Sequence, residues 1–242
     1  SKAKTEFLNR MSHDIKTPIN GVMGMLEIIR RNMDDRERVE ECLGKIQLST
    51  RHLLALVNDV LDMGRIETKQ EKGMMEAFDL EHLMTETSSL VEAQLEETGI
   101  RHYRHREGIR HTALIGNPLH LRQIMVNLLS NAIKYNKPGG RIDTYAKELS
   151  CDGKQAIYEF GITDTGIGMQ KEFVKNKLFQ PFTQEQADAR TKYKGSGLGM
   201  SIVKGLIESM NGSIQVESVP GEGTTFTFQL PFLLDDTACS NR

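Results

Sequence analysis

Cysteine is scarce in this chain. The three residues, Cys42, Cys151 and Cys239, are far apart and odd in number, which argues against a disulfide framework or a zinc motif and for a reducing compartment. Long apolar runs are also missing. No stretch approaches the ~18 residues that cross a bilayer, so membrane contact would have to come through segments absent from this chain. Charge is nearly balanced, with 31 Lys and Arg against 33 Asp and Glu for a net −2, and no basic footprint for nucleic acid emerges. There is no internal repeat and no low-complexity tract. An initiator methionine and a signal peptide are lacking as well; the start at Ser1-Lys2-Ala3 reads as a piece processed out of a longer protein. What remains, 242 residues at 38% apolar and 26% charged, suits a globular protein of one large or two modest domains.

Apolar residues repeat at helical spacing from the start: Phe7, Met11, Ile15, Pro18, Val22, Met25 and Ile29. His13 stands off that stripe, about 200° round the helix from Met11 and from Ile15. It faces solvent with Asp14 beside it and Thr17 one turn along. A solvated face is the ordinary meaning of a single histidine, and only more distant motifs give this one more. The turn Asn32-Met33-Asp34-Asp35 supplies an N-cap for a second helix. That helix carries Val39, Leu43, Ile46, Thr50, Leu53, Val57, Val60 and Gly64, spaced by fours and threes. Such a seam wants partner helices. Two helices cannot cover both stripes, so residues 1–70 are expected to form a helical hairpin that completes a four-helix bundle as a homodimer. The alternative is a hairpin packed on its own chain.

After a break at Glu71-Lys72-Gly73 the pattern changes. Phe78-Asp79-Leu80 opens a strand followed by a helix to Glu97. Strands are expected at 100–106, 112–115, 141–149, 156–163, 213–217 and 224–230, the last two joined by Pro220-Gly221-Glu222-Gly223. Helices fall at 118–135, 171–178 and 198–210. This order predicts an α+β domain over 71–234, a mixed sheet with helices on one face. Residues 235–242 read as a linker or tail.

Three constellations carry chemistry. Asp164-Thr165-Gly166-Ile167-Gly168 follows an apolar strand. A carboxylate at a strand end can accept a hydrogen bond from a ligand amine while glycines let the backbone pass close by; the bland alternative is a turn. Asn127 and Asn131, four apart on one helix, face the same way. Their neutral amide oxygens suit Mg²⁺, and Lys134 follows within reach of phosphate oxygens. Gly195-Ser196-Gly197-Leu198-Gly199 precedes the helix with Ile202, Leu206 and Ile207. Glycines there expose N–H groups at a helix start, where the dipole favours a phosphate. The spacing is neither a Walker A loop nor a dinucleotide fingerprint.

Taken in order, His13, Asn127 to Tyr135, Asp164 to Gly168 and Gly195 to Gly199 resemble the H, N, G1 and G2 boxes of the sensor histidine kinases. The resemblance covers nearly the whole chain. It implies a Bergerat-type ATP-binding sandwich in the second domain and ATP with Mg²⁺ as cofactors, the metal at Asn131. It also implies autophosphorylation on His13, then phosphoryl transfer to an aspartate of a response-regulator receiver domain, in cis or in trans. Asp14 would hold the imidazole, and Thr17 matches the position that aligns water for dephosphorylating the receiver. Asp164 would read the adenine amine, with Gly166 and Gly168 against the base. Asn127, Asn131, Lys134, Tyr135, Lys194, Gly195, Ser196, Gly197, Leu198 and Gly199 would surround the phosphates. Gly223-Thr224-Thr225-Phe226 resembles the closing strand, giving Thr225 to the site. The polar stretch 179–194, with Arg190, Lys192 and Lys194, reads as a lid tethered by Phe179 and Phe182. Serine stands at 196 where the family usually has threonine, and aspartate at 14 where glutamate is commoner. The Ser-His-Asp-Ile-Lys-Thr-Pro form resembles hybrid kinases, which implies a receiver beyond Arg242; the chain is expected to be a cytoplasmic fragment of a parent anchored at the inner face of the cell membrane.

Other classes remain open at this point. An ATPase of the gyrase or mismatch-repair kind would lack the histidine hairpin. A phosphatase-biased enzyme would use Thr17, and a pseudokinase scaffold would fail to bind ATP. The other histidines, at 52, 82, 102, 105, 111 and 120, show no metal-ligand spacing in the sequence and are expected to be surface or core residues.

Overall fold

The computed structural model describes residues 2–67, 75–181, 183, 185 and 197–235, with the side chains of 2–14 and most of 51–67 left aside. The chain divides into two compact units, Ser1–Gly64 and Arg65–Arg242.

The first unit is a helical hairpin. Helix α1, Lys2–Arg31, ends on Arg30 and Arg31, which pair with Glu27 and suit the negative end of the helix dipole. Helix α2, Arg36–Glu67, is capped by Asp35, whose carboxylate accepts the Arg38 N–H at 3.1 Å. Between the two helices Pro18 and Cys42 are buried and Val22, Met25, Val39, Ile46 and Ser49 are half-buried. The covered row of α2 thus runs through Cys42 and Ser49. The seam residues Leu43 and Val57 keep 47% and 38% of their surface exposed, as Ile19, Met23 and Leu26 do theirs on α1.

The second unit begins with strand β1, Glu76–Asp79, and helix α3, Leu80–Thr98, capped by Asp79 through the His82 N–H at 2.8 Å. Then come β2, Arg101–Glu107; β3, Ala113–Gly116; and α4, Pro118–Lys134, whose start is set by Asn117 as cap and Pro118 in the first turn. Strands β4, Arg141–Cys151, and β5, Gln155–Asp164, form a hairpin. Helix α5, Lys171–Asn176, helix α6, Gly199–Ser209, and the hairpin β6, Ser213–Val219, with β7, Gly223–Leu234, complete the unit.

The strands make one seven-stranded sheet in the order β1-β3-β7-β5-β4-β2, with β6 also on β7. Among the described residues β2 and β4 alone pair in parallel; the sheet is mixed, as expected. Period-two alternation sends Tyr158, Phe160 and Ile162 of β5 and Phe226, Phe228, Leu230 and Phe232 of β7 to one buried face. There Phe160 stacks on Phe228 at 5.0 Å. Leu83 and Val91 of α3, Ile124 and Leu128 of α4 and Val203 and Leu206 of α6 cover that face with fully buried side chains. The opposite face carries polar partners such as Tyr145 and Gln229 on Glu159, at 3.0 and 2.9 Å. The core therefore lies between one face of the sheet and three helices, and the end of α4 and the start of α6 frame the site.

Candidate nucleotide and phosphate site

Helix α4 connects two of the three constellations to a third. Near its C-terminus the Tyr135 carbonyl accepts the Ile167 N–H at 3.0 Å, which clamps the loop after β5 against the end of α4. One turn earlier the Asn131 amide donates to Met200 Sδ at 3.4 Å, in the first turn of α6. The motif of Asp164, the asparagine helix and the glycine-led helix are thus held around one place, though they are distant in sequence.

Asp164 ends β5 with 8% of its surface exposed. Its Oδ1 accepts the Gly166 N–H at 2.8 Å. Burial pushes the carboxyl up to about 6, against the lowering pull of the Gly166 and Thr224 N–H groups. A buried carboxylate with acceptor capacity to spare is suited to a ligand amine. The two glycines after it have a reason the sequence did not give. A Cβ at Gly166 would meet the Tyr135 carbonyl oxygen at 2.3 Å, and one at Gly168, where φ is +63°, would meet the Val219 carbonyl at 2.0 Å. They are needed first for the loop to nest against its own chain. The loop is further held by the Thr165 hydroxyl, which donates to Asn136 Oδ1 at 3.2 Å and accepts the Arg141 N–H at 2.9 Å, and by the Met169 N–H on Ser218 Oγ at 2.8 Å.

Asn127 and Asn131 are both half-buried on α4. Asn131 Nδ2 donates to Met200, and the amide Oδ1 can only accept. Lys134 folds its ammonium over the Tyr135 ring at 4.8 Å, and Tyr135 is exposed. Gly197, half-buried, and the fully buried Leu198 lead into α6, and among the described residues the Leu198 N-cap position supplies no side-chain cap. An uncapped helix start of this length is a ready anion site. Phe179 packs under the Lys204 ammonium of α6 at 5.4 Å, consistent with an anchor for the following stretch. Lys194, Gly195, Ser196 and Phe182 lie outside the described residues.

The two adjacent threonines of β7 point to different faces of the sheet. Thr225 pairs with Thr163, and the two hydroxyls hydrogen-bond at 3.0 Å. Strand alternation puts both on the face opposite Asp164. The residue on the Asp164 side is Thr224, which lies opposite Asp164 in the ladder, is buried, and binds Ser218 Oγ at 2.8 Å.

In the helical unit His13 and Asp14 lie on α1, and their side chains are outside the described residues. Thr17 is exposed on the same helix, and the next residue, Pro18, is buried inside it. Proline has no N–H to offer the Asp14 carbonyl, so the helix backbone is loosened beside His13.

Comparison with known proteins agrees with both units. Residues 3–69 match the model of the His Kinase A (phospho-acceptor) domain, and residues 116–234 that of the histidine kinase-, DNA gyrase B- and HSP90-like ATPases. The circadian input-output histidine kinase CikA of Synechococcus elongatus is 37% identical over 95% of this chain, which covers 30% of CikA. The autoinducer 2 sensor kinase/phosphatase LuxQ of Vibrio harveyi is 33% identical over 96% of this chain, which covers 27% of LuxQ. Among solved structures, full-length ShkA in complex with AMPPNP superposes with a TM-score of 0.69 at 29% identity, covering 95% of this chain and 46% of ShkA. The phospho-acceptor helices and the ATPase sandwich, in this order, define a two-unit kinase core. The chain belongs to the sensor histidine kinases, and it spans under a third of the length of these two curated relatives.

Proposed function

We propose that this chain binds ATP in its second unit, transfers the γ-phosphoryl group to His13, and passes it to an aspartate of a receiver domain. The observation that carries this is the convergence on α4: Tyr135 holds the Asp164 loop and Asn131 holds the start of α6. An acceptor for adenine and an uncapped helix start for phosphates then stand at the two sides of one helix. The division of labour is residues 1–70 for dimerisation and phosphate acceptance and 71–234 for catalysis.

In the reaction a ring nitrogen of His13 attacks the γ-phosphorus. The bond to the β,γ-bridging oxygen breaks, and its electron pair leaves with ADP. Asp14 holds the other ring nitrogen, fixes the tautomer and eases loss of the imidazole proton. Hard amide oxygens on α4 fit Mg²⁺; Asn131, with Asn127 beside it, would hold the ion, which neutralises charge on the phosphates. The N–H groups at the start of α6 stabilise the same charge without reorganising.

The uncovered apolar residues Ile19, Met23, Leu26, Leu43 and Val57 support a homodimer through the hairpin. The need for ATP and for receivers puts the core on the cytoplasmic side of a membrane-anchored parent, which fractionation of the full-length protein tests.

A second reading concerns Thr17. It is exposed one turn from His13, where its hydroxyl could orient water against a phosphoaspartate, and LuxQ is named as both kinase and phosphatase. The two activities are tested together. The chain is labelled with γ-labelled ATP, the label is chased onto purified receiver domains of the host, and its decay is followed with ADP present. Transfer to a receiver supports the main reading, and absence of any label overturns it. Thr17→Ala should label normally yet leave the phosphorylated receiver longer-lived; equal loss of both activities removes the second reading.

A further inference from the structure

The fold assembles a cluster that the nucleotide chemistry does not use. A ring nitrogen of His111, a carboxylate oxygen of Glu148 and the Cys151 sulfur lie within 4.8 Å of one another. They come from the loop between β2 and β3 and from the end of β4. Asp164 ends β5 at the opposite end from Ala156, the ladder partner of Cys151. The eight residue steps between them span about 26 Å of strand, so the cluster is remote from the site above.

A β-bulge creates the grouping. In a regular strand Glu148 and Cys151, three apart, would point to opposite faces. The register shifts between Glu148 and Ser150, so Glu148 faces Tyr158 and Cys151 faces Ala156. Those two partners both point to the buried face of β5, and the extra residue therefore turns Cys151 to the side of Glu148. Glu148 is fixed there with its side chain only 5% exposed. Its Oε2 accepts the N–H groups of Arg110 and His111 at 2.8 and 3.1 Å, and its Oε1 accepts His111 Nδ1 at 2.9 Å. The Cys151 sulfur is exposed and accepts the Gly153 N–H at 3.3 Å.

We infer that His111, Glu148 and Cys151 form a binding site for a borderline-soft divalent cation of the zinc class, with water in the fourth position. One nitrogen, one oxygen and one sulfur ligand make a donor set of the kind zinc takes with three protein ligands. At bonds of about 2.0–2.3 Å and tetrahedral angles, ligand atoms stand roughly 3.3–3.6 Å apart. The His111–Glu148 pair at 2.9 Å is already near that spacing, and the exposed Cys151 side chain need close by only about 1 Å from the outer limit of the cluster. A cation at Nδ1 takes the neutral ring with its proton on Nε2, and the thiol binds as thiolate with release of its proton to solvent, so affinity rises with pH. Oε2 keeps its two backbone donors, which serve as the outer shell that orients the ligand. Occupancy would tie the loop after β2 to the β4–β5 hairpin.

The test uses the whole chain with Co²⁺ as a spectroscopic probe and Zn²⁺ by calorimetry. Wild type should take one Co²⁺ per chain with a thiolate-to-cobalt charge-transfer band in the near ultraviolet. Cys151→Ser should lose the band and bind Zn²⁺ at least tenfold more weakly. His111→Gln should keep a band while weakening Zn²⁺ at least tenfold. Zn²⁺ should raise the melting temperature of wild type and of neither variant, and nucleotide binding should be the same in all three. A wild type with no charge-transfer band overturns the site, and so does a band that persists in Cys151→Ser, which would assign the thiol to Cys42 or Cys239.

Discussion

The Gly166 N–H donates to Asp164 Oδ1 at 2.8 Å, so the loop that Asp164 begins is closed by its own carboxylate. That bond and the Thr224 N–H work against burial, yet burial dominates and sets the carboxyl at about 6 from an ordinary 3.8. In the folded chain the proton is therefore held more tightly than in the unfolded one. Stability from this group is full below the unfolded value and is lost as pH rises through about 6.

Asp164→Asn keeps an oxygen for both N–H groups and removes the buried charge. The unliganded variant should be more stable than wild type at pH 8, by on the order of 1–2 kcal/mol after discounting for residual solvation, with the gap narrowing towards pH 4. Its affinity for ATP should fall at least tenfold, because an amide can turn a donor towards the adenine amine. Wild-type affinity should also weaken below pH 6 as the carboxylate takes up its proton. Thermal melts and calorimetry across pH read both effects; ATP binding as tight as wild type in the variant would remove Asp164 from the adenine site.

Two adjacent threonines should behave differently. Thr224→Val lies on the Asp164 side and should weaken nucleotide binding severalfold. Thr225→Val loses only the hydroxyl contact to Thr163 on the other face, about 1 kcal/mol or less, and should bind nucleotide normally. Calorimetry on the pair decides which face of β7 meets the ligand.

Much of this architecture was legible because each element answers to local rules. Asp35, Asp79 and Asn117 start helices as caps, and the alternation in β5 and β7 gave the sheet its buried face. The strand order, with β3 against β7 and β2 parallel to β4, depends on contacts across the chain and left no local trace. Thr225 was named from its motif, and only the strand period separates it from Thr224 on the Asp164 side. The His111 cluster was invisible because partners 37 and 40 residues apart meet only through the bulge in β4. Within the hairpin, the seam through Leu43 and Val57 is not the row that α1 covers.

Asn131→Asp places a carboxylate beside Met200 and among the phosphates. Autophosphorylation should drop at least a hundredfold in initial rate, while nucleotide binding without Mg²⁺ changes far less. Initial rates of label incorporation, set against calorimetry with and without the metal, separate the two.

Val57→Glu sets a charge on the uncovered apolar row of α2, at a cost of several kcal/mol if that row is an interface. Light scattering at micromolar concentration should give a dimer for wild type and a monomer for the variant. A monomeric wild type would refute the bundle.

The most direct measurement compares His13→Gln with wild type, using γ-labelled ATP for phosphorylation and calorimetry for nucleotide affinity. Wild type should take up an acid-labile, base-stable label, and the variant should take up none while binding ATP with unchanged affinity. Label that survives in His13→Gln would contradict the assignment of His13 as the phosphate acceptor.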